Sequence, residues 1–300
     1  SDDSGYSVVV DTTAPEVSGI TFSSSNGSSD PDHPSSHLAM EGDTVTLSIT
    51  TSERAEDVEV VINDTSYSAS DDGDGTSWTV EHTVSSGEDV ESVEFEVTSF
   101  SDPSGNALVS SETHTSDDSG YSVVVDTTAP EVSDITFTSS NPSSDPDYPS
   151  SYLSMEDDTV TLSFTTDERV DGVEVTINGS SYSAMDMGSG ISWEAQHTVS
   201  SGENEDADAV EFEITSFSDP SGNELISPET HTSDDALKSV RVDTTAPEVS
   251  TVTFASSNTS SDPDYSDALL AKADDTVTLS FTTDERVDGV EVTINGSSYS

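Results

Sequence analysis

The stretch DDTVTLSFTTDERVDGVEVTINGSSYS, Asp157 to Ser183, recurs letter for letter at Asp274 to Ser300, and a related version runs from Gly42 to Ser68. Within it Val160, Leu162 and Phe164 alternate with Thr and Ser, which is the period-2 pattern of a strand with one buried face. The repeat offset is 117 residues, from Asp157 to Asp274. A second repeat, SDDSGYSVVVDTTAPEVS, occupies Ser1 to Ser18 and returns at Ser116 to Ser133, an offset of 115. The phrase VDTTAP falls at Val10 to Pro15, Val125 to Pro130 and Val242 to Pro247, marking equivalent points in successive units.

These marks divide the chain into the last strand of a preceding domain (1–13), two complete domains (14–128 and 129–245) and the first half of another (246–300). A chain that starts inside one unit and stops midway through another reads as a window on something longer, and the closing half-unit is expected not to fold unaided.

Outward from the quoted stretch, unit one follows the same alternation. Glu16 to Phe22 is strand A, Asp43 to Thr51 strand B, Val58 to Tyr67 strand C and Trp78 to Val84 strand E. Val93 to Val97 is strand F and Tyr121 to Val125 strand G. Ser23 to Glu41 is polar and proline-bearing and reads as a long loop, and Ser101 to Asn106 (SDPSGN) as a tight turn. About seven short strands in ~115 residues, without helical periodicity, give an all-β fold of immunoglobulin-like β-sandwiches joined end to end. The single Trp of each complete unit, Trp78 or Trp193, is expected in the core.

Composition narrows the function. The 300 residues hold 62 Asp and Glu against 6 Lys and Arg, a formal net charge of −56 with pI near 4.1. A surface this negative repels nucleic acid and anionic membranes, so neither is an expected partner. The self-repulsion calls for bound divalent cations or a salty medium, where the Debye length falls to about 3 Å at 1 M. No Cys is present, so disulfides and thiolate metal sites are excluded. No apolar run approaches the ~18 residues of a membrane span, and Ser1 to Ser4 do not form a signal peptide.

VDTTAP, GDTVTLSITTSE (Gly42 to Glu53) with its counterpart DDTVTLSFTTDE (Asp157 to Glu168), and SFSDPSGN at Ser99 to Asn106 and Ser216 to Asn223 resemble the tandem bacterial Ig-like domains of large prokaryotic surface and adhesin proteins. The resemblance covers the chain from Val8 onward. It implies an extracellular, cell-surface rod or filament without catalysis, often with calcium stiffening its junctions. The long acidic A–B loop and the near absence of Lys depart from the usual pattern.

In such a sandwich the N-terminus shares one end with the B–C and F–G loops, and the A–B and E–F loops lie at the other. Stacking units would then gather Asp30, Asp32 and Glu88 or Asp89 of one unit with Asp126, Asp167, Glu168, Asp219 and Asn223 at the junction. Ca²⁺ takes six to eight oxygens at about 2.3–2.6 Å, which carboxylates, Asn side chains and loop carbonyls supply. These residues are therefore the candidate Ca²⁺ ligands. The SNxSSDPD runs at Ser25 to Asp32, Ser140 to Asp147 and Ser257 to Asp264 are a second place for an ion, whereas Asp71 to Gly75 (DDGDG) becomes DMGSG at Asp186 to Gly190, so a shared site is not expected there.

Other chemistry finds little support. His82 and His197 share one place on strand E, and His114 and His231 one place before strand G, which marks repeated surface positions. His33 and His37 have HxxxH spacing, but Tyr148 and Tyr152 replace them in unit two, so rings covering a sandwich edge fit better than zinc. With only Lys238 and Lys272, Lys–Asn isopeptide cross-links are closed to the first complete unit. Sequons at Asn26, Asn63, Asn178, Asn258 and Asn295 would suit an exported protein. The expected partners are neighbouring copies or other filament chains, and glycans through the long loops. The alternatives are a glycan- or protein-binding module and the accessory array of a secreted enzyme.

Overall fold

The computed structural model describes residues 5, 7–141, 143, 146–203 and 209–300. The described residues form two compact units, one of residues up to 199 with 209–241, and one of 242–300 with 200–203. Apart from one short 3-10 turn at Pro263–Tyr265, all regular structure is β.

The first sandwich runs through β1 (Val17–Ser24), β2 (Ser36–Ala39), β3 (Thr44–Thr51), β4 (Glu56–Ile62) and β5 (Thr65–Ser68), then β6 (Ser70–Asp71), β7 (Ser77–Thr83), β8 (Phe95–Ser101), β9 (Glu112–His114) and β10 (Ser122–Val125). One sheet has the order β1-β3-β7-β6, the other β5-β4-β8-β9, and β10 pairs in parallel with β2. The second sandwich repeats this with β11 (Val132–Ser139), β12 (Ser151–Ser154), β13 (Thr159–Thr166), β14 (Asp171–Ile177), β15 (Ser180–Ser183), β16 (Met185–Asp186), β17 (Ser192–Thr198), β18 (Phe212–Ser218), β19 (Glu229–His231) and β20 (Ser239–Val242). In the other unit β21 (Val249–Ser256) pairs β22 (Val277–Thr283), and β23 (Val292–Ile294) pairs β24 (Ser297–Tyr299). The chain is thus an all-β array of tandem Ig-like sandwiches.

The alternation in sequence becomes the core. Val45, Leu47 and Ile49 of β3 are at most 1% exposed and meet Val58, Val60, Ile62, Phe95 and Val97 of the facing sheet. Phe22 packs on Phe95 with ring centroids 4.6 Å apart, as Phe137 does on Phe212 at 4.7 Å. Trp78 and Trp193 are buried as expected.

Two strand assignments need correction. The segment Val58 to Tyr67 is a hairpin: β4 and β5 are separated at Asn63 and Asp64, whose φ of 42° and 63° are the left-handed pair of a type I′ turn. The loop Ser23 to Glu41 also contains a strand, β2, whose Leu38 and Ala39 are buried against β10. The two Pro and the acidic turn before it conceal a four-residue strand whose partner lies 86 residues away, from Ser36 to Ser122.

The outer edge of β1 is blocked by the loop before β10. Asp118 accepts from Ile20 N at 3.0 Å and its own N–H donates back to the Ile20 carbonyl at 3.3 Å. Asp235 does the same for Ile135, at 2.8 and 3.2 Å. A carboxylate on an edge strand both satisfies its N–H and prevents strand addition.

Candidate functional site

The VDTTAP segment that leaves the first sandwich turns its Asp126 toward the second. Beyond β10, Asp126 Oδ1 accepts from Thr128 N at 3.0 Å, a local turn that Asp11 and Asp243 repeat toward Thr13 and Thr245. Asp89 in the loop after β7 fixes the same segment. Its carboxylate accepts from Thr127 N at 2.6 Å, Thr127 Oγ1 at 2.9 Å and Thr128 Oγ1 at 3.1 Å, which hold its pKa below the usual carboxylate range.

The next sandwich presents Glu168 from the turn after β13 and Asp219 from the turn after β18. Asp126, Glu168 and Asp219 each bring a carboxylate oxygen to a common place, all within 4.8 Å of one another, and Asp219 is 3% exposed. Asn223 builds the turn around Asp219: its N–H donates to Oδ1 at 2.9 Å and its amide to Oδ2 at 2.7 Å. The same amide donates to the Asp126 carbonyl at 3.0 Å. Asn223 therefore orients two of the three acids with its amide nitrogen.

Three carboxylates so close cannot all ionise comfortably. Burial first, then the charges of Asp126, Asp219 and Asp167, push the Glu168 carboxyl up to about 8. Burial and the charges of Asp219 and Asp89 raise Asp126 as well. Without a cation, a proton held between Asp126 and Glu168 relieves the repulsion.

The arrangement is periodic. Asp11, Glu53 and Asp102 form the same group ahead of the first sandwich, with Asn106 Nδ2 reaching the Asp11 carbonyl at 3.3 Å and Asp102 Oδ2 at 2.8 Å. Glu53 is again raised, by burial and then by Asp11 and Asp102. In the second compact unit Glu285 is raised by burial and by Asp243. The first group was legible by applying the repeat offsets to Asp126, Glu168 and Asp219, although the candidate residues above do not include it.

The remaining candidates have other places. Asp167 Oδ1 accepts from Glu131 N at 2.8 Å; at the equivalent position Ser52 Oγ accepts from Glu16 N at 2.9 Å, so the task needs an oxygen and no charge. Asp30 and Asp32 are outside the three-carboxylate group, and Asp30 accepts from Asp32 N at 2.9 Å in a turn of their own. From that long loop it is Asn26 that reaches the next sandwich, donating to the Ser221 carbonyl at 2.8 Å. Of the run Ser140 to Asp147, Pro142, Ser144 and Asp145 lie outside the described residues. Asp71 spends Oδ1 on the N–H groups of Gly73 and Gly75.

The reading of His82 and His197 as surface positions is corrected: they are 6% and 4% exposed. His82 Nδ1 meets the Tyr67 hydroxyl at 2.6 Å and Nε2 meets Glu88 at 2.6 Å, while Asn63 Nδ2 donates to Glu88 at 3.0 Å. Tyr182 meets His197 Nδ1 in the same way at 2.7 Å. Alternation places His82 on the inward face of β7, where a polar residue needs partners from other strands. The edge rings are present too: His37 stacks on Tyr121 at 5.4 Å, and Tyr148 lies 3.7 Å from the Arg241 guanidinium.

The donors of the periodic group are all carboxylate oxygens, with neither His nor Cys, which suits a hard cation and not zinc. Oxygens bound at about 2.4 Å lie at most ~4.8 Å apart across an ion, and the three carboxylate oxygens fall within that limit. The residues present therefore fit Ca²⁺.

No family model and no curated relative matches the chain. Among solved structures it is similar to the crystal structure of Rst D1-D2, at 12% identity and TM-score 0.30 over 76% of this chain and 100% of that one. It is also similar to the I9-I11 tandem from titin, at 10% identity and TM-score 0.27 over 77% and 66% respectively.

Proposed function

We propose that this chain is a run of non-catalytic structural repeats in an extracellular rod, belonging to a surface fibre, sheath or giant adhesin, whose junctions are fixed by Ca²⁺. The observation that carries the reading is the recurrence of one carboxylate set at the entry to each complete sandwich: Asp11, Glu53 and Asp102, then Asp126, Glu168 and Asp219. A stalk needs every unit to present the same ends, and these residues are the ends.

At the central junction Asp126, Glu168 and Asp219 would hold the ion, and Asn223 would orient Asp219 and the Asp126 main chain. The ion supplies positive charge where three acids converge, one from the segment that leaves the first sandwich and two from turns of the second. Binding to the folded chain alone stabilises it by about 2.7 kcal/mol per site when free ligand stands 100-fold above Kd. The acidity of the remaining surface suits a saline exterior, where screening shortens the reach of like charges.

The reading as a binding module draws on the long loops. It is the weaker, because the rings expected to make contacts there are stacked on their own sandwich, His37 on Tyr121 and Tyr148 on Arg241.

Thermal unfolding in millimolar Ca²⁺, in EDTA, and in EDTA with molar NaCl tests the proposal. A melting temperature lowered by EDTA and not restored by NaCl supports specific junction sites. Equal rescue by NaCl would make the acids a salt-adapted surface and remove calcium from the account.

A further inference from the structure

The two complete sandwiches differ at one backbone position with a large local effect. Gly19 of β1 pairs with Thr50, and a Cβ there would come 2.6 Å from Thr50 Oγ1. The second sandwich has Asp134 at the equivalent place. It adopts φ 52°, and the register break that the first sandwich has between Val17 and Gly19 falls here between Ser133 and Thr136. A bulge turns side chains to new directions. Ile20 is 4% exposed, whereas its counterpart Ile135 is only half-buried.

Ile135 borders a groove of about 390 Å³ between the edge strands of the two sheets, lined by Val132, Ile135, Ile214, Leu225, Ile226 and His231. Ile226 at its mouth is 86% exposed. The rim is acidic: Glu131 lines the groove, Asp134 precedes Ile135, and Asp235 is bonded to the Ile135 N–H. That bond closes the β11 edge to strand pairing, while β19, with His231, is the last strand of its own sheet. An incoming segment would therefore lie along β19.

We propose that this groove binds a cationic peptide segment, a branched aliphatic side chain entering between Ile135 and Ile226 with flanking Lys or Arg over Glu131, Asp134 and Asp235. Charge decides the occupant. A second copy of this chain, itself at −56, meets like charge on approach, while a basic segment gains attraction and an apolar anchor together.

The probe is a fluorescent peptide Lys-Lys-Ile-Val-Ile-Lys-Lys titrated into the whole chain at 0.15 M NaCl, followed by anisotropy. Lys-Lys-Ser-Gly-Ser-Lys-Lys controls for charge alone. Saturable binding of the first peptide is expected, at least tenfold tighter than the control. Ile226→Asp should weaken it at least tenfold, and Val109→Asp, at the equally exposed counterpart in the first sandwich, less than twofold. Both residues are exposed, so both variants fold. Equal affinity for the two peptides, or equal loss from the two variants, overturns the proposal. So does self-association of the chain by sedimentation that Ile226→Asp abolishes, which would give the groove to a second copy.

Discussion

The side-chain amide of Asn223 donates to the main-chain carbonyl of Asp126 at 3.0 Å, tying the turn after β18 of one sandwich to the segment that leaves the other. Because the same amide also holds Asp219 at 2.7 Å, it couples the direction of the linker to the placement of a buried carboxylate. Asn106 repeats both bonds toward Asp11 and Asp102.

Asn223→Ala should leave both sandwiches folded, since Asp219 keeps the main-chain N–H donors of Gly222 and residue 223. Losing two bonds, one to a charged acceptor, is expected to destabilise the chain by about 1–2 kcal/mol. It should also weaken Ca²⁺ binding, a change that a purely structural role at the turn would not produce. Calorimetric titration beside thermal unfolding separates the two effects.

The raised Glu168 carboxyl predicts a pH dependence with a definite sign. Its folded pKa of about 8 stands above its unfolded value of 4.5, so the folded state holds the extra proton between them. The associated stability is present below about 4.5 and is lost as pH rises through about 8. In EDTA, the melting temperature of the native chain should therefore fall relative to Glu168→Gln across this window. Parallel curves for the two proteins would show that Glu168 does not hold the proton.

Tyr67→Phe should destabilise the first sandwich by about 1–3 kcal/mol, because it leaves the buried His82 Nδ1 without its hydroxyl partner. Chemical denaturation checks this, with Tyr121→Phe as a comparison at a half-exposed ring.

Asp64→Gly should stabilise the β4–β5 hairpin. Asp64 adopts φ 63°, and the second sandwich has Gly179, at φ 74°, in the same turn. Removing the Cβ from a left-handed position is expected to contribute about 0.5–1 kcal/mol. An unchanged or lower denaturation midpoint would contradict it.

How much of this was legible follows from the range of each interaction. Val45, Leu47 and Ile49 alternate cleanly, so β3 and its repeats could be read from local pattern. Asp126, Glu168 and Asp219 could be named because each lies in a phrase that recurs at a fixed offset. Non-local pairings hid the rest. Nothing beside Leu38 indicates that β10 lies against it, and nothing around His82 points to Glu88 and Tyr67. Asn63-Asp64 is a hairpin signal weaker than the Asn178-Gly179 of the next repeat, which is why the alternation ran straight through it. Asp30 and Asp32 were drawn toward the junction by a correct rule about sandwich ends, yet Asn26 and not the acidic tip makes the contact.

The most direct test of the junction account is calorimetric titration of Ca²⁺ into the metal-stripped whole chain beside its Glu168→Gln variant. The account predicts saturable binding that persists in 0.5 M NaCl and a variant that has lost one equivalent, with its site at Asp11, Glu53 and Asp102 intact. An unchanged number of equivalents in the variant, or binding that disappears in salt, would contradict it.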